Sequence, residues 1–400
     1  MSQEPKTRRY DIDALRVFAF ALLILYHVGM FYVPWDWHVK SQYQSTSLET
    51  LMLIVNQWRM PLIFLISGLA VHFLLDKVSP AVFAGRRIVR LGLPLVFGML
   101  VIVPPQPYYE ALANGAFDGS YIEFLKAYFT FQPWPEGAFA GWDYGITWNH
   151  LWYLPYLLCY TLVGLPLFLW LRNGGSGVTK MLRQARGPWL VLLPVIPLFL
   201  AGWFVYPRFP YISHSLIDDW YGHAMYGTIF LYGYIIGRDP GIWSEMARIR
   251  RWTLGLAIVA FPGFRLISGW AGEDPSAVQN FALFSAVYLN RWLWLLAILG
   301  WGYRLLNRPY RWLPYATEAV YPWYILHQSI TVVAGYQLSR LALGPVVEPI
   351  LLISITIGGC LVLHEFVVRR VSWLRPLFGL KSKTTADKPL QLKANYSGSK

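Results

Sequence analysis

The sequence predicts an all-α fold: a polytopic transmembrane helix bundle of about ten spans with both termini in the cytoplasm. Three observations lead there. Of 400 residues, 56% are hydrophobic and 14% charged, too little polar material to surface soluble domains. Apolar runs recur that are long enough, at about 17 to 25 residues, to cross the roughly 30 Å hydrocarbon layer as helices. Finally, 26 of the 34 Lys and Arg fall in the N-terminus, the tail and every second connection, counting Arg90 and Arg238 at the span ends that border them, which is the positive-inside pattern.

The predicted spans are, in order, 12–33, 50–76, 88–105, 150–171, 188–206, 222–238, 252–270, 281–302, 317–339 and 346–368. The first follows Arg8 and Arg9 as a secretory signal would. It carries Arg16, lacks a small-residue cleavage site and is followed by further spans, so it is read as a helix of the mature protein. The cytoplasmic connections hold Arg86 and Arg87, then Arg172, Lys180, Arg183 and Arg186, whereas the intervening ones hold only Lys40, Lys126, Arg208 and Arg340. The longest outer connection, about 106–149, is rich in proline and aromatics and reads as an ordered cap, with Ile122 to Phe131 suited to an amphipathic helix at the outer interface. Residues 1–380 form one membrane domain, and the polar, lysine-rich 381–400 reads as a disordered cytoplasmic tail.

The net charge of +13 is explained by orientation in the bilayer and is not a nucleic-acid footprint. The two cysteines, Cys159 and Cys360, lie inside predicted spans and offer neither a disulfide framework nor a thiolate metal site. No spacing of ligating residues resembles a metal centre.

Chemistry is therefore sought among polar residues inside the spans, which a membrane bundle has no packing reason to keep. Arg16, Arg59, Arg265 and Arg291 are such residues. Arg16 and His27 are eleven positions apart on the first helix, close to three turns, so they share a face about 16 Å apart along the axis. A snorkelling arginine and a hydrogen-bonded core histidine is the alternative reading of that pair. Arg59 lies about 12 Å below the outer start of the second span. A charge at that depth normally faces the bundle interior and has a partner, as in a buried ion pair.

The chain resembles acyltransferase family 3, integral membrane enzymes that acylate glycans and other extracytoplasmic acceptors. The resemblance rests on "DIDALRVFAFALLILYH" in the first helix, "RMPLIFLISG" in the second, "GRRIVRLGLPL" leading into the third, "HLWYLPYLL" opening the fourth and "YPWYILHQSI" in the ninth. These motifs stand in the family's order from about residue 9 to 375. The segments "YVPWDWHVKS" and "QWRMPLIFLISG" are most similar to the branch of periplasmic glucan succinyltransferases.

The resemblance implies an O-acyltransferase of the cell inner membrane that moves a succinyl or acetyl group from cytoplasmic acyl-CoA to a hydroxyl of an extracytoplasmic glycan. Acyl-CoA is the donor substrate, the lipid bilayer is the setting, and no metal is required. His27 takes the position of the family's first-helix histidine. With an ordinary imidazole pKa near 6.5 it suits a general base toward the sugar hydroxyl, or the nucleophile of an acyl-histidine intermediate. Arg16 takes the partner position as a donor-binding or helix-coupling residue, or else as half of an intrahelical pair with Asp13 one turn away. Arg59 could hold the terminal carboxylate of a succinyl group or stabilise the oxyanion of the tetrahedral intermediate. Arg87 and Arg90 match the paired arginines at the cytoplasmic mouth; with Arg86 they could clasp the coenzyme A phosphates, although cytoplasmic loops are basic in any case. Phe64, Ser67 and Gly68 match the second-helix motif and are read as close packing. His150, Trp152, Tyr324 and His327 are candidate contacts to the acceptor or walls of the reaction chamber, whereas His38, His72, His214, His223 and His364 are read as interface or packing residues. A proton-coupled transporter of an anionic solute would also keep arginines and histidines inside its spans.

Overall fold

The computed structural model describes residues 8–172, 184–210 and 212–382, all of it helix, turn or loop with no strand among them. The predicted tail from 383 onward and Lys180 and Arg183 of the second cytoplasmic connection lie outside the described residues. The elements are α1 (Tyr10–Met30), α2 (Ser47–Asn56), α3 (Arg59–Leu75), α4 (Pro80–Ile102), α5 (Pro105–Ala113), α6 (Tyr121–Tyr128), α7 (Asn149–Val163) and α8 (Leu165–Arg172). They continue with α9 (Pro188–Val205), α10 (Trp220–Gly237), α11 (Pro240–Ala271), α12 (Ala277–Leu306), α13 (Leu313–Ser339) and α14 (Gly344–Val368).

Six helical stretches are long and apolar enough to cross a membrane, and eight if the bent pairs α4–α5 and α7–α8 each count as one. The two remaining predicted spans coincide with the continuous helices α10 and α13. α13 carries His327, Gln328, Ser329 and Thr331, all turned into the bundle and buried. Conversely α11 and α14 present rows such as Trp252, Val259 and Leu266, or Val347, Ile350 and Leu361, to the outside, as lipid-facing helices do.

Two predicted spans are not single straight helices. The second is broken at Gln57 and Trp58. The physical cause is Pro61: it has no N–H to return to the Gln57 carbonyl four residues back, and that carbonyl instead accepts the Arg291 Nε–H at 3.1 Å. The third starts earlier than predicted, at Pro80, passes through π-helical turns at Ile88–Gly92 and Gly98–Ile102, and bends by 43° into α5. Here Pro94 frees the Arg90 carbonyl, which accepts the Tyr321 hydroxyl at 3.1 Å. The predicted loop from 106 is therefore helical as far as Ala113.

The rest of that connection is the cap. Its helix α6 is shorter than the Ile122 to Phe131 stretch, starts in a Ser120/Glu123 capping box and buries Phe124 and Tyr128 against Tyr108, Phe117, Trp134 and Phe139. The aromatics of 106–149 thus make a small core of their own. In the bundle centre α3 and α10 touch backbone to backbone. A side chain at Gly68 would strike the Phe230 carbonyl and one at Gly233 the Leu65 carbonyl, so only hydrogen fits there.

Candidate active site

Along α1 lie Asp13 and Arg16 near its N-terminal end, Phe20 midway and His27 in its last turn. Arg16 donates to Asp13 at 3.1 Å, as the sequence predicts, but Asp13 is shared with Arg8 at 2.8 Å. Across from it, α4 contributes Arg87, buried in spite of its charge, whose Nε and one terminal nitrogen have no hydrogen-bond partner. The charge of Arg90 acts on both Arg16 and Arg87, and Tyr153 and Tyr321 stand beside them. Arg86 and Arg90 are both exposed, whereas Arg87 is buried between them. Of the predicted arginines, Arg16, Arg87 and Arg90 act on one another electrostatically.

Midway along α1, Phe20 meets Tyr153 and Tyr324 edge to face. The Tyr153 hydroxyl is hydrogen-bonded to Ser67. Of the second-helix motif, Gly68 serves packing as expected, whereas Ser67 faces this path and Phe64 stacks on Tyr226.

Above it, His27 and His327 are brought together from opposite ends of the chain, with His27 Nδ1 and His327 Nε2 2.8 Å apart. The tautomers follow from the partners. His327 Nδ1 faces two carbonyls of its own helix, Trp323 at 3.1 Å and Tyr324 at 2.8 Å, which can only accept, so Nδ1 carries the proton. Neutral His327 then accepts at Nε2, His27 must donate from Nδ1, and His27 Nε2 keeps its lone pair. That nitrogen has no protein partner among the described residues.

His150 is held by the same turn of α13. Its Nε2 donates to the Tyr324 and Ile325 carbonyls, both at 3.1 Å, the Tyr324 hydroxyl donates back to the His150 carbonyl at 2.7 Å, and its ring lies edge-on to His327. His150 and Trp152 are both buried, so neither anchors a membrane interface. Trp152 stacks on His214 with ring centroids 4.1 Å apart. His214 sits in the connection before α10 with a positive φ of 58°, a strained backbone for a residue other than glycine. Burial pushes its imidazole down to about 4, with the Arg59 charge acting in the same direction, so it is neutral at physiological pH.

Arg59 opens α3 immediately after the Pro61-induced break, placing a guanidinium at the positive end of a helix. It lies over the Tyr26 ring at 3.4 Å from the centroid, and its Nε and one terminal nitrogen are buried without a partner. No carboxylate pairs with it among the described residues, which leaves the buried ion pair without its acid. Its charge reaches His27, His327 and His214.

Sequence reasoning missed a second layer. Gln106 donates to His150 Nδ1 at 3.3 Å and to the Ser329 hydroxyl at 2.7 Å; its carbonyl accepts from Asn149 at 3.1 Å and Gln328 at 3.0 Å. Gln328 donates also to His38 Nε2 at 2.9 Å, and His38 Nδ1 meets Glu110 at 2.5 Å. His38, read above as an interface residue, belongs to this buried network. The available signal was the position of Gln328 and Ser329 beside His327 and of Gln106 and Glu110 after a proline pair.

The acyltransferase domain family matches residues 9–365 of this chain. Among characterised proteins it is similar to the glucans biosynthesis protein C of Escherichia coli (strain K12), 24% identical over 347 residues covering 84% of this chain and 85% of that protein. It is similar also to the protein of the same name from Salmonella paratyphi B, 25% identical over 396 residues covering 95% and 97%. No solved structure matches. A helical membrane bundle whose family match spans nearly its whole length and both arginine and histidine layers belongs to acyltransferase family 3 and is an O-acyltransferase.

Proposed function

We propose that the protein transfers an acyl group, succinyl or acetyl, from cytoplasmic acyl-CoA to a hydroxyl of a glucan on the outer side of the inner membrane. In this reading α10 and α13 also cross the bilayer, giving ten spans and two cytoplasmic termini. The glucan follows the name shared by the two relatives. The observation that carries the mechanism is the bare Nε2 of His27, about 16 Å above an arginine cluster with unsatisfied N–H groups.

Arg16, Arg87 and Arg90 receive the coenzyme A phosphates, and the pantetheine arm runs past Phe20, Ser67 and Tyr153. The acceptor hydroxyl loses its proton to His27 Nε2 as its oxygen attacks the thioester carbonyl. Arg59, with the end of α3 behind it, stabilises the oxyanion or holds the free carboxylate of a dicarboxylic acyl group. Collapse breaks the C–S bond, and the departing thiolate takes the proton from His27, leaving ester and CoA–SH. The imidazolium formed on the way is shared with His327 through the Nδ1–H bond.

Mass spectrometry of extracytoplasmic glucans from cells with and without the gene tests this. A mass increment of acetyl or succinyl that disappears with the gene is expected. Unchanged glucan masses with vesicle uptake of an anionic solute would put transport in its place.

A further inference from the structure

Resting on that reading, we infer that the segment after α1, Trp35 to His38, is the acceptor subsite: Trp37 is the stacking platform for the sugar ring that receives the acyl group. Trp37 is half-buried, and its ring lies 6.5 Å from that of His27, tilted by 31°. A pyranose presents C–H groups on its faces and hydroxyls around its rim. A flat ring beside the base holds the face and leaves the rim free to meet Nε2, at small entropic cost because an indole has two side-chain torsions. Asp36, exposed next to it, can accept from rim hydroxyls.

The segment is fixed from three directions. His38 is held by Glu110 of α5 and by Gln328 of α13, the residue after His327. Lys40 donates to the carbonyls of Met30, Val33 and Trp35, closing the end of α1. Burying Gln106, Glu110 and Gln328 costs free energy unless every polar atom is bonded, and the effect of bonding them is to hold residues 36–38 against the His27 turn.

The platform extends outward. Tyr109 and Tyr336 pack in the same cluster as Trp37, with rings 4.8 Å apart, and both are half-buried. Tyr336 stands nine residues beyond His327 along α13, roughly 13 Å toward the outer end, more than one sugar unit away. A glucose oligomer laid on Trp37 would reach this pair with a neighbouring unit.

The test uses the full-length enzyme in lipid nanodiscs with a glucose oligosaccharide as acceptor. Trp37→Ala should raise the acceptor KM by about tenfold or more, with the acyl-CoA KM unchanged, and Trp37→Phe should recover most of the loss. An unchanged acceptor KM, or an equal rise in both, overturns the assignment. Hydroxyl-radical footprinting of the unaltered protein requires no variant to fold: the oligosaccharide should shield Trp37, Tyr109 and Tyr336 from oxidation, and equal oxidation with and without it overturns the assignment. If the wild type acylates the oligosaccharide while Trp37 stays unshielded, this inference alone fails. If the wild type acylates no glucan, the proposed function falls and this inference with it.

Discussion

The half of the bundle around Arg16 and the half around His27 use polar residues in different ways. In the first, Arg87 has guanidinium nitrogens without partners, Arg16 shares its one acid with Arg8, and Arg90 repels both. In the second, Gln106, Gln328, His38 and His150 are joined by hydrogen bonds, while beside them His27 Nε2 and two Arg59 nitrogens are left without partners among the described residues. An unsatisfied cation cluster is unstable by itself and gains when an anion arrives. A hydrogen-bonded network has most of its groups satisfied already and fixes the side chains within it. In the proposed mechanism the first half binds the donor and the second handles the proton.

The sharpest way to break this division is His27→Ala. Loss of a general base should cost about 10² to 10⁴ in kcat while labelled acyl-CoA still binds with native affinity. Near-normal turnover would remove the base from the outer half. Second in size is the Arg87→Ala/Arg90→Ala double variant. Charge-assisted hydrogen bonds contribute about 1.5 to 3 kcal/mol each, so the donor KM should rise by about tenfold or more with the acceptor KM unmoved. An unchanged donor KM would leave the cluster with membrane orientation as its only role. His327→Phe keeps the ring and removes the acceptor of the His27 Nδ1 proton. A lost buried hydrogen bond predicts roughly a tenfold fall in kcat at unaltered donor KM, and full activity would show that the tautomer is set elsewhere. The smallest effect is expected from Arg59→Lys, which keeps the charge and loses the planar fork. It should impair succinyl-CoA a few-fold more than acetyl-CoA if Arg59 holds a carboxylate, whereas equal loss with both would leave the oxyanion role.

The two halves also differ in how legible they were in sequence. Arg16, Arg87 and His27 lie at helical spacings or in one motif, so a single helix wheel brings each into view. The outer network joins residues such as His38 and Glu110, 72 positions apart, or His27 and His327, 300 apart, and no periodicity encodes such contacts. Helix interruptions were half legible. Pro61 follows a break in the second span, while Pro262 and Pro322 sit inside continuous helices, so a proline in the sequence does not by itself say whether a helix stops. The burial of the arginines was hidden for a similar reason: Arg86, Arg87 and Arg90 look equivalent in sequence until packing buries Arg87 and exposes the other two.

The division of labour across the bundle is tested most directly by sidedness. Proteoliposomes with the enzyme in one orientation would enclose a membrane-impermeant glucan on the outer-face side and receive labelled acyl-CoA on the cytoplasmic-face side. Label should cross to the enclosed glucan, and the same donor added only to the outer-face side should transfer nothing. Transfer that requires donor and glucan on the same side would contradict that division of labour.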